Sequence, residues 1–208
     1  MNRFSPLPRA FYARAAIDVA RDCIGQLLVH EREDELLTGR IVEAEAYVGV
    51  EDRACHAYGG HRSARNESMF GPPGHAYVFL IYGLHFHLNL VVSTPEDPSA
   101  VLLRAVEPLE GEVSMSERRK FPKNRVLLTN GPGKLCQAFG IDCRFDGVDL
   151  CSGRLYLAKG IAPKKVLRVP RIGVDYAGAW ANEPLRYLDA QSPFVSVMPK
   201  RPRSRQRG

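Results

Sequence analysis

Several common signatures are absent from the 208-residue sequence. Its five cysteines are odd in number and contain no C-x-x-C pair, and no secretory signal stands at the start. The longest apolar-rich run, Ala76–Val92, is interrupted by polar residues and is shorter than the roughly 18–20 clean residues that a membrane span needs. We therefore expect reduced thiols in a cytoplasmic protein.

Two familiar catalytic signatures are missing as well. No G-x-S-x-G nucleophile motif occurs, and no cysteine lies in a known signature. The stretch Gly131-Pro132-Gly133-Lys134 resembles a phosphate-binding loop only superficially, because Leu128 and Leu135 replace the required glycine and hydroxyl residue. The sequence therefore gives no support for a nucleoside-triphosphate site.

The positive charge is concentrated at one end of the chain. The net charge is +6, and the last ten residues, 199–208, carry five lysines and arginines and no acid, which leaves +1 for the rest. Hydrophobic residues make up 45% of the chain, an ordinary globular value. We expect one domain over residues 1–198 and a disordered basic tail over 199–208. The tail could bind polyanions non-specifically or be a solvated end, and net charge alone does not establish a nucleic-acid partner.

Residue patterning predicts a chain that contains both helices and strands. Ala76–Val92 reads as two strands hinged at Tyr82-Gly83, and residues 49–75 form a long polar segment of a kind that is usually functional. The sequence predicts a basic patch made of Lys164, Lys165, Arg168 and Arg171. The other predicted helices are Arg14–Cys23, Ser114–Phe121 and Gly133–Phe139; the other predicted strands are Gln26–His30, Thr38–Val48, Ala100–Val106, Gly147–Leu157 and Val166–Val174.

The predicted strand Thr38–Val48 carries an unusual face. At a period of two, Val42, Ala44, Ala46 and Val48 share one face, and Glu43, Glu45 and Tyr47 share the other with Ile41. Glutamate is depleted in strands, so two of them in an apolar run suggest either a half-wet face or a pocket. The pattern alone favours a solvated outer face of an antiparallel sheet.

Two further residues are unexpected where they stand. Arg104 interrupts the apolar run Ala100–Val106, and a buried charge there must either lie at a sheet edge or pair with a carboxylate. Tyr82 falls at the tip of the predicted hairpin, where it either packs under the long loop or is exposed for a purpose.

Residue types allow three kinds of chemistry. His85 and His87 could bind a metal together with His56, Cys55 or a glutamate, although no second ligand pair has a recognisable spacing. Nucleophilic catalysis has only a weak signal. Carboxylate-assisted hydrolysis by Glu45 with Arg104, beside aromatic side chains, is the one hypothesis that accounts for several unusual residues together.

A series of motifs resembles the alkyladenine (3-methyladenine) DNA glycosylase family. The resemblance runs from about residue 8 to residue 198. It is carried, in chain order, by Glu43–Tyr47, Asp52, His56, Gly59-Gly60, Arg65-Asn66, Met69-Phe70, Pro73-Gly74, Tyr77–Gly83, Asn89, Val101–Ala105, Gly131–Ala138 and Arg171–Val174.

The resemblance implies a fold and a reaction. Members have one domain of mixed helices and strands and use neither metal nor organic cofactor, so the expected fold class is α+β, with a curved, mainly antiparallel sheet, surrounding helices and a protruding β-hairpin that intercalates into DNA. They flip a damaged purine out of duplex DNA and hydrolyse its N-glycosidic bond. By position, Glu45 matches the general base, while Arg104 and the backbone carbonyl of Ile172 match the groups that hold the water. No lysine matches a Schiff-base nucleophile, so base release without strand cleavage is implied.

The resemblance also implies roles in binding. Tyr47, His56 and Phe79 match the residues that stack on the flipped base, and Asn89 matches the one that clashes with the guanine amino group. Tyr82 matches the tyrosine that fills the gap in the minor groove. The expected DNA-backbone contacts are His61, Arg65 and Lys134. Two positions depart from mammalian members, since Phe79 replaces a tyrosine and His61 replaces an arginine.

The expected partner is therefore duplex DNA that contains a damaged purine, such as 3-methyladenine, 7-methylguanine, ethenoadenine or hypoxanthine, bound by a monomer. A second interpretation is a non-catalytic, damage-recognising DNA-binding protein that uses Tyr82 and the basic tail. A third is a small metal-dependent hydrolase built on His85 and His87.

Overall fold

The computed structural model describes residues 3–94 and 96–199 of the chain. Apart from Pro199, the predicted basic tail lies outside the described residues, so its disorder stays a prediction. The described helices are α1 (Arg9–Tyr12), α2 (Ala16–Cys23), α3 (Glu112–Arg118) and α4 (Pro132–Phe139). The strands are β1 (Leu27–Glu31), β2 (Leu36–Tyr47), β3 (Ala76–Ile81), β4 (His85–Thr94), β5 (Asp97–Glu110), β6 (Leu155–Ala158), β7 (Val166–Val169) and β8 (Arg186–Asp189).

The eight strands form one curved antiparallel sheet, which confirms the predicted α+β class. The main order is β3-β4-β5-β2-β1-β6. One edge of β2 pairs with β5; the other pairs with β1 over its first half and with β8 at Glu43–Glu45. Strand β2 is therefore the strand on which the two halves of the sheet meet.

Helices α2 and α4 cover one face of the sheet. Helix α2 buries Ala16, Val19, Ala20 and Cys23, the apolar positions that its periodicity predicts. Helix α4 begins with Pro132 at its first turn and ends at Gly140, whose φ of 65° lies in the left-handed region. These helices pack on β2 and β4, so the core lies between helices and sheet.

Strand β2 does not keep the predicted strict alternation. Its register against β5 shifts on both sides of Glu43, so a bulge changes which residues share a face. Ile41 packs in the main core with Ala44 and Ala46, whereas Val42 packs in a separate cluster with Leu188. The prediction of a solvated face is wrong, because Glu43 and Glu45 are both fully buried.

Other elements differ from prediction mainly in length. Strands β6 and β7 are four residues each; β7 lies within its longer predicted stretch, whereas β6 overlaps only the end of its stretch and extends one residue beyond it, to Ala158. Strand β8 was not predicted, because four residues with two charges give no periodic signal. The polar segment 49–75 contains three short 3₁₀ turns and no strand. No helix among the described residues is long and apolar enough to cross a membrane.

Candidate active site

A pocket of about 250 Å³ opens between the β3–β4 hairpin, the polar segment 49–75 and the chain after β7. Aromatic and apolar side chains line most of it, with a few polar groups. The lining includes Tyr47, His56, Phe79, Asn89, Arg104 and Ile172, and also Tyr82 of the hairpin tip. The structure thus brings every predicted catalytic and base-binding residue except Glu45 to the pocket surface, and Glu45 contacts three of its lining residues.

The Glu45 carboxylate is buried and held by three donors. Oε2 accepts hydrogen bonds from the Tyr47 hydroxyl at 3.1 Å and from Arg104 Nη1 at 3.1 Å. Oε1 accepts one from the backbone N–H of Ile172 at 2.8 Å. An ionised carboxylate has about four acceptor positions, so this arrangement leaves capacity for one further donor.

Arg104 lies between two carboxylates. Its Nη1 contacts Glu45, and its Nε donates to Glu43 Oε1 at 3.3 Å, so one guanidinium fixes both acids. Burial lowers the pKa of Arg104, but the charges of Glu45 and Glu43 outweigh it and the net shift of the pKa is upward. Of the two alternatives for this arginine, a position at a sheet edge or a pairing with a carboxylate, the structure shows the pairing.

Glu43 has a different environment from Glu45. Arg186 Nη1 donates to its Oε1 at 2.7 Å, and Ser196 donates both its backbone N–H at 2.6 Å and its hydroxyl at 2.9 Å. The sequence did not reveal either partner, since both lie more than 140 positions away. Glu43 therefore ties β2 to β8 and to the segment that follows it, and it does not line the pocket.

Tyr47 forms one wall of the pocket and has a cation against its ring. Arg171 Cζ lies 4.7 Å from the ring centroid, and Arg171 is bound to Asp52 through Nη2 at 2.9 Å. Burial raises the pKa of the Tyr47 hydroxyl well above its usual range, and the neighbouring Glu45 raises it further, so the hydroxyl stays a donor. Arg171 does not join Lys164, Lys165 and Arg168 in the predicted basic patch, because its side chain is completely buried and bound to Asp52.

His56 and Phe79 form the opposite part of the wall. Their ring centroids are 4.6 Å apart in an edge-on arrangement, and His56 Nδ1 lies 2.7 Å from the Tyr77 hydroxyl. Burial lowers the pKa of His56, and Arg65 lowers it further, so the ring is neutral at pH 7. Asn89 is buried beside them and donates through Nδ2 to the Tyr77 carbonyl at 3.1 Å.

The hairpin tip stands at the mouth of the pocket. Tyr82 is 87% exposed and has a φ of 51°, in a region that non-glycine residues seldom adopt. Leu84, which the sequence did not single out, is 76% exposed beside it. The alternative that Tyr82 packs beneath the long loop is therefore wrong, and the tip presents an apolar, solvent-facing pair of side chains.

The predicted backbone contacts lie around this mouth. His61 is exposed, and Arg65 is exposed with Nη2 donating to the Leu80 carbonyl at 2.9 Å. Lys134 lies in the first turn of α4 and donates to Asn130 at 2.8 Å; burial lowers its pKa, and Arg119 lowers it further. Their contact with DNA stays a prediction.

Comparison with known proteins identifies the family of the chain. The family model for methylpurine-DNA glycosylase matches residues 10–193. A protein of Methanocella arvoryzae with the printed name "Putative 3-methyladenine DNA glycosylase" is 51% identical over 191 residues, which cover 91% of this chain and 95% of that protein. Proteins of the same name from Desulfitobacterium hafniense and Myxococcus xanthus are 44% and 47% identical, over 92% and 93% of this chain and 98% and 94% of theirs. The chain belongs to the methylpurine-DNA glycosylase family.

The Glu45 carboxylate and Arg104 form a chemical arrangement that can assist attack by water. A buried carboxylate next to an arginine can accept a proton from water and stabilise positive charge that develops nearby. The structure places the Ile172 amide, rather than its carbonyl, against Glu45. The predicted role of the Ile172 carbonyl in holding the water stays a prediction.

The histidine pair that suggested a metal site has other surroundings. Within residues 3–94 and 96–199, no three His, Cys, Asp or Glu side chains are grouped closely enough to hold a metal ion. His87 lines the pocket edge-on to Phe79, with centroids 5.5 Å apart, while His85 packs against Gly133. Burial lowers the pKa of His87 to about 4, and Arg104 contributes to the shift.

Proposed function

We propose that the protein is a monofunctional glycosylase that removes alkylated or deaminated purines from duplex DNA and leaves an abasic site. The observation that carries the proposal is the Glu45 carboxylate, which is buried behind an aromatic pocket and held by three donors with capacity for a fourth. A general base needs a fixed orientation and an acceptor position that is free for one water.

In the proposed reaction, Glu45 takes a proton from a water as that water attacks C1′ of the damaged nucleotide. The bond from C1′ to the base nitrogen breaks, and the base leaves with its electron pair. The Glu45 anion stabilises the positive charge that develops on the sugar, and Arg104 fixes the orientation of the carboxylate. No lysine lines the pocket within the described residues, which supports hydrolysis without strand cleavage.

The side chains of the pocket walls favour the binding of a flat, aromatic substrate. Tyr47 and Phe79 offer ring faces, and N3- and N7-alkylated purines are cations that such faces attract. The names of the relatives point to 3-methyladenine; we extend the proposal to 7-methylguanine, ethenoadenine and hypoxanthine. Asn89, at the pocket wall, would reject guanine by a clash with its amino group.

A base inside a duplex cannot reach this pocket unless it leaves the stack. Tyr82, exposed at the mouth, is the side chain that would enter the minor groove and fill the gap. His61, Arg65 and Lys134 would contact the phosphates on either side. We propose that the protein acts as a cytoplasmic monomer on DNA, for which size-exclusion chromatography with and without duplex is the check.

The test uses duplexes that contain one hypoxanthine or one 3-methyladenine. The wild-type protein should generate abasic sites, seen as strand breaks after alkali, and should give no breaks before alkali. Glu45→Gln should abolish base release while it keeps lesion binding, because glutamine preserves shape but cannot accept a proton. Glu117→Gln, the same change at an exposed site on α3, serves as the control.

Two outcomes would reject the proposal. Full activity of Glu45→Gln would eliminate Glu45 as the base. Lesion-dependent binding without any abasic product, by the wild-type protein on all the lesions tested, would favour the non-catalytic damage-recognition alternative.

A further inference from the structure

The Tyr47 ring separates the pocket from a buried cation. Tyr47 lines the pocket, whereas Arg171 does not, and the Arg171 side chain is completely buried. The guanidinium lies 4.7 Å from the ring centroid. Because the guanidinium occupies the ring face that it lies over, a bound base would stack on the other face.

The position of Arg171 is fixed by a network behind the wall. Two of its nitrogens contact Asp52, and Nη1 also donates to the Ala46 carbonyl at 3.0 Å. Burial lowers the pKa of Arg171, but its hydrogen bonds to Asp52 outweigh that effect, so it stays charged. Its Nε is buried and has no hydrogen-bond partner among the described residues.

The second aromatic wall has the same feature in a weaker form. Arg65 Cζ lies 5.8 Å from the Phe79 centroid, and Arg65, like Arg171, does not line the pocket. Because Arg65 is exposed, water and salt screen its charge more than that of Arg171. Both stacking surfaces thus have an arginine against them.

A cation on one face of an aromatic ring weakens the attraction of the other face for a second cation. The ring electrons are drawn toward the first charge, and the two charges also repel each other through a region of low dielectric. A neutral purine loses little, since its stacking rests on area and dispersion.

We infer that these two arginines, and Arg171 above all, are specificity-determining residues that act through the Tyr47 and Phe79 rings. They reduce the advantage that bare aromatic walls would give to cationic purines and so favour neutral damaged purines. The inference rests on the proposed function. Asp52 partly neutralises Arg171, so its removal shifts the preference further toward neutral bases.

The experiment compares single-turnover release of 7-methylguanine, a cation, with release of hypoxanthine, which is neutral. The ratio of the two rates, relative to the wild-type ratio, cancels the different leaving abilities of the bases. Arg171→Gln with Asp52→Asn removes the charged pair together, and the ratio should rise roughly fivefold in favour of 7-methylguanine. Asp52→Asn alone should lower the ratio. Arg171→Lys keeps the charge and should leave the ratio within about twofold of wild type.

The measured ratio separates specificity from stability, since damage to the fold slows both reactions alike. Thermal melting reports which variants are folded. Arg65→Gln changes an exposed side chain and should raise the ratio by a smaller factor. If neither the double variant nor Asp52→Asn folds, an unchanged ratio in Arg65→Gln overturns the inference. A ratio that is unchanged, or moves toward hypoxanthine, in the folded double variant overturns it as well. If wild type releases neither base, the proposed function fails, and the inference fails with it.

Discussion

Replacing Glu43 by glutamine tests whether the two buried glutamates of β2 have different tasks. Glu43 accepts hydrogen bonds from Arg104, Arg186 and Ser196, and Glu45 accepts them from Arg104, Tyr47 and Ile172. The two carboxylates and two arginines sum to zero charge. Glu43→Gln leaves a net +1 in a region with almost no access to water, and it turns an acceptor into an NH₂ group that faces other donors.

The magnitude follows from the cost of an unpaired buried charge. Removing one partner of such a pair destabilises a protein by about 3–5 kcal/mol. The free energy of unfolding of a domain is typically about 5–15 kcal/mol, so Glu43→Gln should fold but unfold at much lower denaturant. Glu45→Gln should lose less stability, because its amide oxygen can still accept from the Ile172 N–H and it has only one arginine partner.

Urea unfolding at pH 7 measures the free energy of unfolding of each variant. Single-turnover base release, at a temperature where all variants are folded, measures the catalytic rate. Glu43→Gln should keep base release within about tenfold of wild type, or about 1.4 kcal/mol. Adding Arg186→Met to Glu43→Gln restores charge balance and should recover part of the stability. Glu117→Gln again controls for the substitution itself.

The reasoning is refuted by the opposite pattern. If Glu43→Gln is as stable as wild type and releases no base, Glu43 belongs to the chemistry and the division of tasks is wrong. If Arg186→Met lowers the stability of Glu43→Gln still further, charge imbalance is not the cause.

Three further predictions concern acid stability, the hairpin tip and the tail. Burial lowers the pKa of His87 from 6.5 to about 4, so as the pH falls the unfolded chain protonates this histidine before the folded chain does. His87 should therefore lower the free energy of unfolding by on the order of 3 kcal/mol between pH 6.5 and pH 4. In urea titrations, His87→Gln should make the free energy of unfolding depend less on pH over this range. Tyr82→Ala should leave the melting temperature unchanged but weaken binding to a lesion duplex roughly tenfold by fluorescence anisotropy, with equal binding counting against insertion. Deletion of residues 199–208 should weaken DNA binding at low salt yet spare single-turnover release, and an unaltered salt dependence would contradict it.

Local periodicity was enough to predict much of the fold. The structure contains the apolar spacing predicted for α2 and the two strands predicted on either side of Tyr82-Gly83. It also has α4 beginning at Pro132 and followed by Gly140, as predicted. The bulge at Glu43 and the short strand β8 could not be read from the sequence. A bulge is set by the pairing of β2 with β5, and β8 exists because β2 and β7 present edges to it.

In the candidate site, too, the sequence revealed some residues and missed others. The residues that line the pocket stood out because they conflict with their surroundings, such as Arg104 in an apolar strand and Tyr82 at a tip. The residues behind the pocket gave no such signal. Arg171 looked like one of several surface cations, and only its contacts with Asp52, 119 positions earlier, and with the Tyr47 ring reveal that it is buried.

Arg186 and Ser196 make the burial of two glutamates compatible with the chemistry. Glu43 and Glu45 share one face of β2, since they pair with Leu188 and Arg186 on either side of the Ala44–Tyr187 pair, and two carboxylates roughly 7 Å apart would otherwise have only Arg104 between them. Arg186 and Ser196 bind Glu43, while Glu45 lies beside Tyr47 and the pocket. Arg104 is the only side chain among the described residues that contacts both acids. Because Glu43 has its own cation, Arg104 orients Glu45 without having to neutralise two carboxylates.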